Sequence, residues 1–178
     1  MNSPYEGRFQ VTQQFKGSAH DGLDLVGLDS KDIHATVTGK VIYAGWENEA
    51  NHKQGFGQFV CILGPDGNYY YFGHMSKIKT TTGAQVKCTD VIGVEGDTGY
   101  SFGSHCHYCV RPKFAAGCYL DVTQISGIPN ALGIYDDGYR PGTTTTPTET
   151  PTEKEPTVEP AGSGTITIDG KTYDVKLS

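Results

Sequence analysis

The stretch Phe59-Val60-Cys61-Ile62-Leu63, then Gly64-Pro65-Asp66-Gly67-Asn68, then Tyr69-Tyr70-Tyr71-Phe72, constrains the fold more than any other part of this chain. β-Branched and aromatic residues pack well on a pleated surface, and the Pro-Asp-Gly-Asn between them supplies a chain reversal, so the segment predicts a β-hairpin. A hairpin must bury one face against something. The rest of residues 8–125 offers partners: further short β candidates at 39–44, Val91–Val94 and Cys106–Arg111, beside the two strands Gln58–Leu63 and Tyr69–Phe72. Thr82-Gly83 and Gly96-Asp97-Thr98-Gly99 punctuate them as turns. No segment shows a convincing apolar stripe at helical period, and residues 123–135 are expected to hold one short helical turn at most. With Gly at 24 and Tyr at 11 of 178 residues, strands joined by tight turns are favoured over helices, and the expected class is all-β.

Composition changes abruptly from Gly142 to Pro160, where Thr, Pro and Glu alternate with almost no apolar residue. Such a stretch cannot bury enough surface to offset its chain entropy, which predicts an extended, disordered linker. Beyond it, Gly164-Thr165-Ile166-Thr167-Ile168 and Lys171-Thr172-Tyr173-Asp174-Val175 alternate about Asp169-Gly170, a candidate type I′ hairpin. The expected organisation is therefore a main domain at 1–141, a linker at 142–161 and a C-terminal hairpin at 162–178. An isolated hairpin is marginal in water, so this one is expected to pair with the main domain, another copy or a continuation of the chain.

The net charge of −6 disfavours nucleic acid, whose phosphates need clustered Lys and Arg, and argues weakly against anionic membranes. No run of about 18 apolar residues is present, so no transmembrane segment is expected. Met1-Asn2-Ser3-Pro4-Tyr5-Glu6 lacks the charged and apolar regions of a signal peptide, which suggests synthesis without secretion or a piece of a longer protein. Five cysteines (61, 88, 106, 109, 118) form an odd, irregular set better read as reduced thiols than as a disulfide framework, with a Cys109–Cys118 bridge left open.

Chemistry concentrates in three places. In His20-Asp21-Gly22-Leu23-Asp24-Leu25, strand alternation places His20, Gly22 and Asp24 on one face and Leu23 and Leu25 towards a core, with Gly22 leaving room for a metal or ligand. A His beside an Asp is equally a common structural pair. In His105-Cys106-His107-Tyr108-Cys109-Val110-Arg111, the two histidines project together while Cys106, Tyr108 and Val110 face the other way. Paired imidazoles suit a divalent metal. A cupin or an amidohydrolase barrel also carries His-x-His, but the next acidic residue here is Asp121 and the chain is too short for a barrel. Cys106 and Cys109 fall on opposite strand faces, so they cannot chelate together; Cys109 shares the histidine face, as a neighbour of the site or merely a small side chain at its edge. His74 follows the Tyr-rich run, and by itself reads more readily as a surface or core histidine than as a catalyst.

Together these elements resemble the lysostaphin-type (LytM-like) zinc metallopeptidases. The resemblance covers about residues 8–122: Gln14-Phe15-Lys16-Gly17, His20-x-Gly22-x-Asp24, Ala35-x-x-x-Gly39-x-Val41, Gly55-Phe56-Gly57, Phe72-Gly73-His74-Met75-Ser76, and Gly93-x-x-Gly96-x-Thr98-Gly99 leading into Gly103-x-His105-x-His107. It implies a coiled antiparallel β-sheet domain with an open substrate groove. It further implies one zinc ion held by His20, Asp24 and His107, with His74 and His105 as catalytic residues beside its open position. Ligation needs neutral imidazoles, so activity is expected to fall below about pH 6. The family commonly has Leu, Phe and Glu where this chain has Cys106, Tyr108 and Cys109, the last removing a carboxylate. Tyr43, Trp46, Tyr100 and Tyr69 to Tyr71 are candidate groove walls, or core. The implied function is a hydrolase, an endopeptidase cutting crosslinks or stem peptides of bacterial peptidoglycan, acting at the cell wall as a bacteriolytic phage endolysin or tail-associated enzyme, or as part of a secreted protein. Alternatives are a wall- or phage-tail-anchoring module, with the terminal hairpin used for attachment or self-association, and a peptidase of non-wall proteins.

Overall fold

The computed structural model describes residues 1–136 and the backbone of residues 164–168 and 171–175. The chain divides into two compact units, Met1–Thr143 and Thr144–Ser178.

In the first unit the strands are β1 Arg8–Gln13, β2 Gly22–Gly27, β3 Asp32–His34, β4 Gly39–Trp46, β5 Gln58–Leu63, β6 Tyr69–Phe72, β7 Lys77–Ile78, β8 Gln85–Val86, β9 Val91–Val94, β10 Cys106–Arg111 and β11 Gly133–Asp136. A short helix, α1 Val122–Ser126, precedes the last strand. Eight strands form one antiparallel sheet in the order β11-β1-β2-β10-β6-β5-β4-β8, and β3-β9-β7 form a second. The all-β expectation holds. The predicted hairpin is β5–β6, with Leu63 opposite Tyr69 and Val60 opposite Phe72.

The two faces of the large sheet have different contents because side chains alternate along each strand. Leu23, Leu25, Cys106, Tyr108, Val110, Val60, Ile62 and Phe72 face the main core, joined by Ile33 and Ile92 of the second sheet and by Met75. Burying a side chain such as Leu23 or Phe72, both fully covered, contributes about 1.5–3 kcal/mol. The opposite face carries a smaller cluster of Phe59, Cys61, Tyr71 and Cys109. Cys106 and Cys109 thus lie in different clusters, and all five cysteines are free.

The helical turn expected within 123–135 is α1. Asp121 caps its N-terminus by accepting from the Thr123 N–H at 3.0 Å, and Gly127, with φ of 70°, stops it after five residues. Beyond it, β11 adds to the sheet edge by pairing with β1, with Tyr135 opposite Phe9. Among the described residues no helix is long and apolar enough to cross a membrane.

In the second unit, β12 Gly164–Ile168 and β13 Lys171–Val175 pair antiparallel with Ile168 opposite Lys171. The Thr/Pro/Glu segment at 142–161 lies outside the described residues, as do Asp169 and Gly170 of the expected type I′ turn.

Candidate active site

The pairing of β2 with β10 places Asp24 directly opposite His107, and Gly22 opposite Cys109. Two residues 83 apart in sequence thereby become neighbours, with Asp24 Oδ1 2.9 Å from His107 Nδ1. The loop before β2 brings His20 Nε2 to 3.1 Å from the same oxygen, and His105 Nε2 lies 3.5 Å from it. Ligand atoms of His20, Asp24 and His107 all fall within 4.8 Å of one another.

Gly22 was expected to leave room for a metal. The room is instead filled by the partner strand: a Cβ at Gly22 would lie 2.7 Å from His107 Nε2 and 2.6 Å from the Tyr108 carbonyl oxygen. The glycine allows β10 and the His107 ring to come close.

Each imidazole is oriented by one ring nitrogen. A carbonyl oxygen can only accept, so His20 Nδ1–H donates to Gln14 O at 2.8 Å, His74 Nδ1–H to Thr98 O at 2.7 Å and His105 Nδ1–H to Gly103 O at 2.7 Å. Their Nε2 atoms remain for the site. His107 is turned the other way: its Nε2–H donates to Asp21 Oδ1 at 3.1 Å, which leaves Nδ1 towards Asp24.

His74 and His105 stand side by side, ring centroids 4.7 Å apart. His74 adopts a left-handed backbone with φ of 62°, a conformation that costs a non-glycine residue about 1–3 kcal/mol and is common where function requires a fixed geometry. Its N–H donates to Phe56 O at 2.8 Å. Thr98 accounts for the Gly-x-Thr-Gly motif: its carbonyl orients His74, and its hydroxyl accepts from the Gln58 N–H at 3.0 Å and donates to Met75 O at 2.9 Å. Gly99, with φ of 80°, lies so close to the neighbouring loop that a Cβ would meet the Gly57 nitrogen at 2.3 Å. The loop leading to His105 is anchored by Glu95, which accepts from Ser104 Oγ and Tyr5 Oη, both at 2.7 Å, and from the Gly27 N–H and Lys31 Nζ, both at 2.8 Å.

Two carboxylates, Asp21 and Asp24, set the electrostatics of the site together with Arg111 and the imidazoles. Burial acts to raise the Asp24 carboxyl, but the imidazoles of His107 and His20 against it hold it well below the usual carboxylate range. Asp21 behaves likewise, with His107 and Arg111 outweighing burial. Burial opposes protonation of His107, yet its contacts to Asp21 and Asp24 lift that ring above the usual imidazole range. An environment that stabilises positive charge on His107 also suits a bound cation. Two imidazoles and a carboxylate are the donor set zinc takes, and ligands about 2.1 Å from a tetrahedral metal sit about 3.4 Å apart, close to the spacings here. Burial pushes His74 down to about 4, so it stays neutral at ordinary pH.

A cleft of about 800 Å³ opens over these groups, lined by His20, Asp24, His74, His105 and His107. Residues 18–117, which carry all of them, match the sequence model of Peptidase family M23. The chain belongs to Peptidase family M23. Lysostaphin of Staphylococcus simulans is 32% identical over 93 residues, covering 52% of this M23 chain and 18% of that protein. Endolysin 2638A of Staphylococcus phage 2638A is 29% identical over 107 residues, 57% of this chain and 21% of that protein. The murein hydrolase activator NlpD of Escherichia coli is 28% identical over 110 residues, 62% and 27% of the respective chains. The M23 chain thus spans about a quarter or less of the length of these relatives. Among solved structures, the catalytic domain of S. simulans lysostaphin superposes with a TM-score of 0.55 at 26% identity, covering 69% of this chain and 92% of that one. A zinc-containing peptidase from Vibrio cholerae gives 0.53 at 25% identity, with 61% and 35% covered. The resemblance to the lysostaphin-type family holds.

The structure brings His20, Asp24, His74, His105 and His107 together and places Tyr100 on the cleft wall, 69% exposed. Tyr43 lines a neighbouring cavity of about 300 Å³ with Phe59, Tyr71 and Phe114. Trp46 lines neither of these two cavities and stacks on His52 at 3.6 Å. Tyr70 packs in the main core, Tyr71 in the smaller cluster, and Tyr69 against that cluster. Sequence reasoning passed over Asp21, Phe102 and Arg111, all of which line the cleft. Strand parity with His105 and His107 could have found Arg111. Asp21 lies before β2 begins, where parity gives no guide.

Proposed function

We propose that this M23 chain is a zinc-dependent endopeptidase that hydrolyses peptide bonds of bacterial peptidoglycan. The observation that carries the reading is the convergence of His20 Nε2 and His107 Nδ1 on Asp24 Oδ1, beside the His74–His105 pair at the floor of an open cleft. His20, Asp24 and His107 would hold the ion, which when bound supplies Lewis-acid polarisation of a carbonyl and lowers the pKa of a bound water to about 7. His74 and His105, each fixed through Nδ1–H to a main-chain carbonyl, present Nε2 to the reacting groups. The neutral His74 ring accepts the proton of the attacking water at Nε2 and returns it to the leaving amine; His105, in the form that also carries a proton on Nε2, donates to the oxyanion as the tetrahedral carbon forms. Tyr100, on the exposed wall, contacts the peptide.

Peptidoglycan as substrate is supported by the likeness to lysostaphin and to a phage endolysin, and the endolysin also supports action from a phage on the cell wall. In this reading residues 1–141 form the catalytic domain, 142–161 a linker and 162–178 an attached hairpin. The likeness to NlpD, an activator by name, favours a second reading as a wall-binding or activating module. The intact set of five site residues favours the enzyme. Lytic zymography decides between them: clearing of embedded bacterial cells that requires zinc, with casein left intact, supports the proposal. Binding to cell walls without clearing supports the second reading, and casein clearing alone supports a peptidase of other proteins.

A further inference from the structure

We propose that Asp21 is a positioning residue that sets the orientation and donor strength of His107 towards the metal; this rests on the zinc reading above. Three of the four site histidines are oriented by main-chain carbonyls, Gln14 O, Thr98 O and Gly103 O. His107 is held instead by a carboxylate, through Nε2 to Asp21 Oδ1 at 3.1 Å. The other Asp21 oxygen, Oδ2, accepts from Arg111 Nη2 at 2.8 Å. Arg111 in turn donates through Nη1 to Ala115 O at 3.2 Å and lies over the rings of Phe56 and Tyr71, 5.1 and 4.7 Å from their centroids. The aromatic rings fix Arg111, Arg111 fixes Asp21, and Asp21 fixes the ring whose Nδ1 faces Asp24.

A carboxylate on the far nitrogen of a ligating imidazole holds its tautomer and raises its basicity. The geometry also separates this role from direct ligation. Asp21, His107 and Cys109 form a second cluster with donor atoms within 4.8 Å of one another. However, Asp21 is already paired with a guanidinium, and a second cation beside Arg111 would be repelled. Cys109 is fully buried against Phe59, Cys61 and Tyr71. His107 would therefore bind through Nδ1, the nitrogen that faces Asp24, while Asp21 holds the far nitrogen, Nε2.

The test is zinc affinity by chelator competition on the full chain, with thermal unfolding in excess zinc and in excess chelator as a second readout. Asp21→Ala is expected to weaken zinc binding by about 10–100-fold. Asp21→Asn, which keeps an acceptor for His107 but loses the charge, should weaken it less. Both variants should shrink the zinc-induced rise in Tm while leaving the Tm in chelator close to the parent's. Cobalt-loaded parent should show no thiolate charge-transfer band. Zinc affinity of both variants within twofold of the parent, or an equal fall in Tm with and without zinc, overturns the proposal. A thiolate band in the cobalt protein also overturns it, because Cys109 would then be a ligand. If Asp21→Ala does not fold, Asp21→Asn decides by the same criteria. A parent chain that binds no zinc overturns the metal reading itself, and this inference with it.

Discussion

Asp24 and His107 face one another across β2 and β10, with Asp24 Oδ1 2.9 Å from His107 Nδ1. This pairing makes the site a property of the sheet register: a slip of β10 by one residue would send His107 to the core face, away from Asp24.

On the proposed assignment, His107→Ala removes a zinc ligand, whereas His74→Ala removes a group that only faces the reacting atoms. The first variant should lose zinc and activity together. The second should retain zinc near one equivalent while turnover falls by about 10²–10⁴-fold, the usual contribution of a general acid or base. Metal analysis and turnover on the same preparations check both; loss of zinc in His74→Ala would contradict the assignment.

The pH behaviour separates His74 from the proposed metal ligands. Burial pushes the His74 imidazole down to about 4, below its ordinary value near 6.5. The unfolded chain therefore binds a proton there that the folded chain refuses. The stabilising contribution of His74 is full above about pH 6.5 and is lost as the pH falls towards 4. The ring should stay neutral through pH 5, followed by NMR of its ring protons. An acid limb of activity near pH 6 would then come from metal release, and zinc content should fall in parallel.

Gly22→Ala is a larger change than its size suggests. The added Cβ would sit 2.7 Å from His107 Nε2 and 2.6 Å from Tyr108 O. Overpacking of this kind costs about 1–3 kcal/mol, and here it also displaces the His107 ring, a proposed zinc ligand. Chemical denaturation should show that loss, with weakened zinc binding; wild-type values for both would mean that the strands separate more easily than their packing indicates.

Tyr100, at 69% exposed on the cleft wall, should matter to substrate and not to the fold. Tyr100→Ala should raise KM with stability within about 0.5 kcal/mol of the parent. Trp46→Ala should leave KM unchanged, since Trp46 stacks on His52 and lines neither cavity described.

The central strands and their facing were legible because alternation is local: Leu23, Leu25, Cys106, Tyr108 and Val110 face the core as their positions along the strands require. The grouping of His20, Asp24, His74, His105 and His107 was legible only through the ordered motifs that resemble the family, because no local rule brings residues 24 and 107 together. Strand β11 was missed because its pairing with β1 is distant in sequence and its Ile134 is 62% exposed, which leaves little apolar pattern to read. Asp21 escaped notice because it precedes its strand, and its role depends on Arg111, 90 residues away. Trp46 and Tyr43 carry a generic aromatic signal that does not say which surface they cover.

Mass spectrometry of fragments released from peptidoglycans of defined crosslink tests the central claim most directly. With one equivalent of zinc, the chain should release fragments cut at a peptide bond of a bridge or stem peptide, and His107→Ala should release none. Intact peptidoglycan of every crosslink type after incubation with the fully zinc-loaded chain would contradict the account.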